Sequence, residues 1–149
     1  MEFHGCDKSA SAVAFATVAA AQRGQPAVQF FQLDIMEQPI PDGYDVVMCS
    51  LFLHHFEDGS AEGLLRRMKD AAGAAVVVDD LLRSRLGYVL CWVGCRLLTR
   101  SSMVHNDGPQ SVRAAVTMPE AKALANRAGL HGATFQRHWP ERFLMQWCR

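Results

Sequence analysis

The sequence predicts an α/β domain built on a mostly parallel sheet with helices on both faces. Three observations lead there. Tyr44 to Cys49 and Ala74 to Val78 are nearly unbroken apolar runs rich in β-branched residues, the pattern of strands covered on both sides. Segments with helical periodicity alternate with the strand segments, which implies crossover connections and parallel pairing. The last two strand segments are joined too tightly for a crossover, so they pair antiparallel and add one antiparallel strand at the edge.

Each element has a local reason. Phe3 to Cys6 reads as a short strand. Asp7 or Ser9 caps an alanine-rich helix that runs to about Arg23, where Gly24, Gln25 and Pro26 stop it. Val28 to Leu33 forms a second strand, and Pro39, Pro41, Asp42 and Gly43 form a turn cluster. After the strand at Tyr44 to Cys49, Asp58 or Ser60 caps a helix with Leu64, Leu65 and Met68 on its inner stripe, and Gly73 closes it. The strand Ala74 to Val78 ends in the acids Asp79 and Asp80.

Leu86, Leu90, Val93 and Leu97 recur at helical spacing and read as core, with exposure expected only where neighbouring elements are missing. Tyr88 and Trp92 share that reading. Residues 101–116 look polar and irregular, with Asp107, Gly108 and Pro109 in a turn. Thr117-Met-Pro-Glu120 is a capping box with proline in the first turn; Leu124, Ala125 and Ala128 form the helix's inner face before Gly129. Ala133 to Gln136 and Arg142 to Trp147 are strands joined by a turn at Trp139-Pro140.

Composition narrows the function classes. At 149 residues, half of them hydrophobic, the chain fits one globular domain spanning 1–149, with a helical and loop insertion at about 84–118 on the substrate side. Fifteen basic and fifteen acidic residues cancel, which argues against nucleic acid or an acidic membrane as the main partner. Five cysteines without a CxxC pair, and a start with no basic and apolar leader pattern, point to a reduced, cytoplasmic setting. The longest apolar stretch, Leu86 to Leu98, contains Arg96 and is too short to cross a bilayer. Cys91 and Cys95 stand one turn apart, but no set of metal ligands is evident.

In an open α/β sheet, ligands bind beyond the carboxyl ends of the strands. Short polar residues stand at those ends: Asp7, Asp34, Ser50 and Asp79. A carboxylate there can accept both hydroxyls of a ribose, and a second acid with its neighbouring N–H can read an adenine edge. Acids at strand ends also serve as caps and turn residues.

Read together, Gly5-Cys-Asp7-Lys-Ser9, Phe31-Gln-Leu-Asp34 and Asp45-Val-Val-Met-Cys-Ser50-Leu-Phe-Leu-His54-His55-Phe56 resemble a class I S-adenosylmethionine (SAM)-dependent methyltransferase of the ubiquinone/menaquinone-type small-molecule branch. The segment from His105 to Thr117 and the ending Trp139-Pro-Glu-Arg142 are similar to the same family. The resemblance implies a Rossmann-like sheet, SAM as cofactor and a small, apolar or aromatic methyl acceptor. It implies that Asp7 holds the SAM ribose, Asp34 and Ile35 contact the adenine, and Ser50 and Leu51 lie beside the methionine portion. His54 and His55 stand where a general base would be; Asp80, Arg113 and Arg142 are candidates to face the acceptor.

The family's opening strand and Gly-rich SAM loop have no counterpart before Phe3. The sequence therefore reads as N-terminally truncated, by fragmentation, a mis-set start or degeneration. In that sheet the first strand is central, so its loss would leave two open strand edges. The alternative expectation is thus an inactive methyltransferase-like domain acting through a homo-oligomer or a partner chain. A nicotinamide-dependent enzyme fits less well, because its GxGxxG turn is missing.

Overall fold

A computed structural model describes residues 2–25 and 27–149; the expected helix stop at Pro26 lies outside the described residues. Where the sequence suggests one domain, the structure clusters into two compact units, Met1–Ile40 and Pro41–Arg149.

In the first unit, β1 (Phe3–Asp7) and β2 (Val28–Gln32) pair in parallel, joined by helix α1 (Ala10–Gln22). The register sets Asp7 opposite Gln32, so the residues after both strands emerge at one end. Ser9 caps α1 as expected, its hydroxyl accepting from the Ala12 N–H at 3.3 Å.

The second unit holds β3 (Tyr44–Ser50), a 3₁₀ turn at Leu53–His55, α2 (Asp58–Ala71), β4 (Ala72–Leu81), α3 (Arg85–Leu98), α4 (Ser102–Ala114), α5 (Met118–Arg127), β5 (Thr134–His138) and β6 (Arg142–Cys148). Strand order is β3-β4-β6-β5. The β3–β4 pair is parallel, and β6 runs antiparallel to both β4 and β5. The antiparallel strand is therefore inside the sheet and not at its edge: β6 inserts beside β4 and leaves β5 outermost.

The core lies on one face. Val76 and Val78 of β4 and Phe143, Met145 and Trp147 of β6 are buried, as are Leu64, Leu65 and Met68 of α2 and Leu124 of α5. On β3, Val46 and Met48 are exposed. The expectation that β3 is covered on both faces is therefore corrected: among the described residues only one side is.

Three more expectations change. Gly73 does not close α2 but lies inside β4, where a Cβ would stand 3.3 Å from the Tyr44 carbonyl oxygen; the glycine lets β3 approach at its irregular start. Residues 102–114 are helical despite Pro109, which is buried within α4. Gly108 explains the close packing there, since a Cβ would lie 2.7 Å from Cys95 Sγ and 3.0 Å from Cys91 Sγ on α3. Finally, Leu86, Val93 and Leu97 are exposed, not core, because α3 turns Cys91 and Cys95 towards α4.

All five cysteines are free. Burial, then the charge of Asp80, pushes the Cys49 thiol up to about 12. Burial, then its contact with Cys95, raises Cys91 to about 11. At mildly alkaline pH iodoacetamide is expected to alkylate exposed Cys148 first, with Cys49 and Cys91 slower by at least about tenfold, since the thiolate is the nucleophile. Peptide mass mapping over time checks this order.

Candidate functional site

At the carboxyl end of the first unit, each strand exit is built by a carboxylate that holds its own loop. Asp7 Oδ1 accepts from the Ser9 N–H at 2.7 Å, and Asp34 Oδ1 accepts from the Met36 N–H at 3.0 Å. The two exits are tied together: the Leu33 N–H donates to the Asp7 carbonyl at 3.0 Å, and the Gln32 amide to the Lys8 carbonyl at 3.0 Å. In both acids it is Oδ1 that accepts this loop bond. Beside them opens a cavity of about 610 Å³ lined by Lys8, Ser9, Gln32, Leu33, Asp34 and Gln38. Its rim carries one carboxylate, an ammonium and several amide and hydroxyl groups, a set that suits a polar, hydroxyl-bearing ligand. Of the residues the sequence singles out here, Asp34 lines the cavity, while exposed Asp7 and half-buried Ile35 adjoin its lining residues in the chain.

In the second unit, β3 and β4 set Ser50 opposite Asp79. Strand alternation then sends Asp79 and Asp80 to opposite faces. On the Asp79 side, the Arg142 guanidinium reaches Ser50 Oγ and Asp79 Oδ1, both at 3.0 Å, and His138 Nε2 lies 3.1 Å from the same Asp79 oxygen. Arg142 Nε is buried with no hydrogen-bond partner among the described residues. Leu51 follows with φ of 52°, a left-handed backbone that a branched side chain rarely adopts, and its N–H donates to the Asp79 carbonyl at 2.9 Å. That turn reverses the chain and delivers Phe52 to His55 above the sheet.

Asp80 faces the other way and is 1 % exposed. Its Oδ2 accepts from the N–H groups of Phe52 (2.9 Å), Leu53 (2.6 Å) and His54 (3.3 Å). Its Oδ1 lies 2.6 Å from His54 Nδ1 and 2.6 Å from its neighbour's N–H at Leu81. Burial tends to raise this carboxyl, but the hydrogen bonds from His54, Leu81 and Leu53 outweigh it and hold Asp80 below the usual carboxylate range. The carboxylate expected to face an acceptor is instead committed to protein donors. His54 is 8 % exposed, while His55 is exposed, their ring centroids 4.2 Å apart.

Arg113 belongs to another place, the groove between α3 and α4. Its guanidinium donates to the Tyr88 hydroxyl at 3.1 Å and lies 4.8 Å from the ring centroid. A cavity of about 370 Å³ opens there, shared with Trp92, Arg96 and His105. Sequence reasoning missed His138 and the His54–Asp80 pair. The pair had a signal: two adjacent acids on one strand must face opposite sides, so at most one could serve each. His138 had none, because only the β5–β6 hairpin brings it to Asp79.

The methyltransferase-domain family model matches residues 1–73. No curated protein matches the sequence. Among solved structures, the fold is similar to a Nostoc punctiforme protein assigned as an O-methyltransferase, at 20 % identity and TM-score 0.72, covering 99 % of this chain and 45 % of that one. It is also similar to the magnesium protoporphyrin IX methyltransferase of Synechocystis, with S-adenosylhomocysteine (SAH) bound, at 16 % identity, TM-score 0.69, and coverage of 99 % and 64 %. An O-methyltransferase family 2 protein from Planctomyces limnophilus in complex with apigenin gives 13 % identity, TM-score 0.67, and coverage of 99 % and 42 %. The chain spans 42 % to 64 % of the length of these structures.

Proposed function

Because this chain has the class I SAM-dependent methyltransferase fold, with residues 1–73 matching the methyltransferase-domain family, we propose that it binds SAM and serves methyl transfer to a small-molecule acceptor. The observation that carries the proposal is the pair of carboxylates, Asp7 and Asp34, at the exits of two adjoining parallel strands beside a cavity of about 610 Å³. The residues fit the group: Asp34 lines the cavity, Asp7 stands next to its lining residue Lys8, and carboxylates are the acceptors that ribose hydroxyls and an adenine amine require. The cofactor supplies an electrophilic methyl when bound.

The chain's own residues supply position and proton handling. Ser50 and Leu51 present the backbone turn after β3. His54 is the proposed general base: Asp80 engages its Nδ1, which leaves Nε2 as the nitrogen to take an acceptor's proton. Asp80 is a positioning residue in this scheme. Arg142, clamped by Ser50 and Asp79, offers a cation for an acidic or phenolic acceptor at the same sheet end. Arg113 would contribute through the α3–α4 groove. Calorimetry of the 149-residue chain with SAM and SAH tests cofactor binding; absence of heat with both overturns it. With an accepted substrate, His54→Ala is expected to slow turnover by about 10² to 10⁴ without changing SAM affinity.

A second reading has its own observation. Among the described residues, β1 has β2 as its sole strand neighbour and β3 has only β4. A strand with one neighbour offers an edge for pairing. A domain acting through a second copy or a partner chain would use those edges, and light scattering that finds only monomer counts against it.

A further inference from the structure

Helix α3 carries its apolar residues on the side away from its neighbour. Leu86, Val89, Val93 and Leu97 recur at spacings of three and four and so form one stripe, and all are exposed. The opposite side holds Cys91 and Cys95 against Gly108 of α4, so α4 leaves the stripe uncovered. The stripe runs out at the α3–α4 corner, where Leu97 is 79 %, Leu98 88 % and Met103 70 % exposed.

Charge on the same segment has one sign. Between Asp80 and Asp107 the sequence has Arg83, Arg85, Arg96 and Arg100 and no acid. Arg83 is taken by Glu120. Arg85, Arg96 and Arg100 make no ion pair among the described residues. Arg96 instead lies over Trp92, 3.9 Å from its ring centroid.

We propose that this face docks on an anionic lipid surface, with Leu97, Leu98 and Met103 entering the headgroup boundary and Arg85, Arg96 and Arg100 meeting lipid phosphates. An apolar strip edged by cations alone matches acyl chains beneath a phosphate layer. A tryptophan at the flank suits the same boundary, with an apolar body and a polar N–H. A second copy fits worse: self-pairing of α3 would gather arginines with no acid on the helix to meet them. Whole-chain neutrality does not oppose the proposal, because salt screens charges beyond about 10 Å and only the local set is felt. The expectation of no membrane partner was drawn from the net charge of the whole chain, and the proposal departs from it for this face alone. Among the described residues no helix is long and apolar enough to cross a membrane; the proposed contact is with the surface. The proposal does not depend on methyl transfer.

Vesicle flotation of the 149-residue chain tests it, using phosphatidylcholine alone and phosphatidylcholine mixed with phosphatidylglycerol. The chain is expected to float with the mixed vesicles and not with the neutral ones, less so as salt rises. The double changes Arg96→Glu with Arg100→Glu, and Leu97→Asp with Leu98→Asp, are each expected to weaken binding by at least about tenfold. These side chains are exposed, so circular dichroism is expected to stay native; if the aspartates perturb it, Leu97→Ser with Leu98→Ser takes their place. No flotation, equal flotation with both vesicle types, or indifference to the arginine reversals overturns the proposal. So does a dimer in light scattering that the Leu97 and Leu98 changes dissolve, which would assign the face to a second copy.

Discussion

Asp80→Ala is expected to lower the melting temperature by roughly 10–20 °C, from a loss of about 3–5 kcal/mol. The carboxylate accepts from the N–H groups of Phe52, Leu53, His54 and Leu81 and from His54 Nδ1, and it is buried. Alanine leaves those donors without an acceptor in a place water does not reach, which costs more than the net worth of the bonds. Calorimetric or fluorescence melting measures the shift; a change of only a degree or two would refute the account. The pH dependence has a definite sign. Asp80 is held below its unfolded value, so the unfolded chain takes up the proton more readily. The stabilisation is therefore complete above the unfolded carboxyl value of about 3.9 and is lost as pH falls through the lower folded value. Asp80→Asn keeps the size and one acceptor oxygen and is expected to melt above Asp80→Ala. If Asp80 positions His54, the asparagine variant loses turnover out of proportion to its stability and with a changed pH profile. If its role is only structural, turnover follows stability.

The second large effect concerns the cofactor end. Asp7→Ala is expected to weaken SAM binding by about 10- to 100-fold, the usual worth of hydrogen bonds to a charged group. Asp7 is exposed at the exit of β1, and its Oδ1 accepts from the Ser9 N–H at 2.7 Å. One substitution therefore removes both the proposed ribose contact and a loop bond. Asp7→Asn separates them, because the amide oxygen can still accept from Ser9 while the charge is gone. Equal loss in both variants assigns the effect to the charge that meets the ribose. Near-normal binding in Asp7→Asn assigns it to the loop. Calorimetric titration with SAM reads both, and unchanged affinity in Asp7→Ala would remove Asp7 from the site.

Much of the fold was legible because its signals are local. The Thr117 capping box appears with both of its hydrogen bonds, and Ser9 caps α1, since such caps depend on residues three apart and little else. The strand exits at Asp7, Asp34 and Ser50 follow from apolar runs ending in short polar residues. The failures have contacts distant in sequence as their cause. Pro109 and Gly108 read as a turn, yet α4 forms because its packing on α3 needs a residue without a Cβ near Cys91 and Cys95. Gly73 reads as a helix stop, yet the close approach of β3 keeps it within β4. Asp80 reads as facing a ligand, and only the burial of the turn after β3 shows that its oxygens are already engaged.

By itself the sequence determined the α/β class and the order and chemistry of the strand ends, with Asp7 and Asp34 among them. Those features rest on side-chain periodicity and on residue types with few conformational choices. Tertiary structure alone decided that β6 inserts beside β4, that Asp79 pairs with Arg142 and His138 while Asp80 turns to His54, and that the apolar stripe of α3 faces outward. Period-2 alternation fixes that neighbouring residues part, but which face is buried depends on what packs there. A helix likewise displays an apolar stripe in its sequence without stating what lies against it.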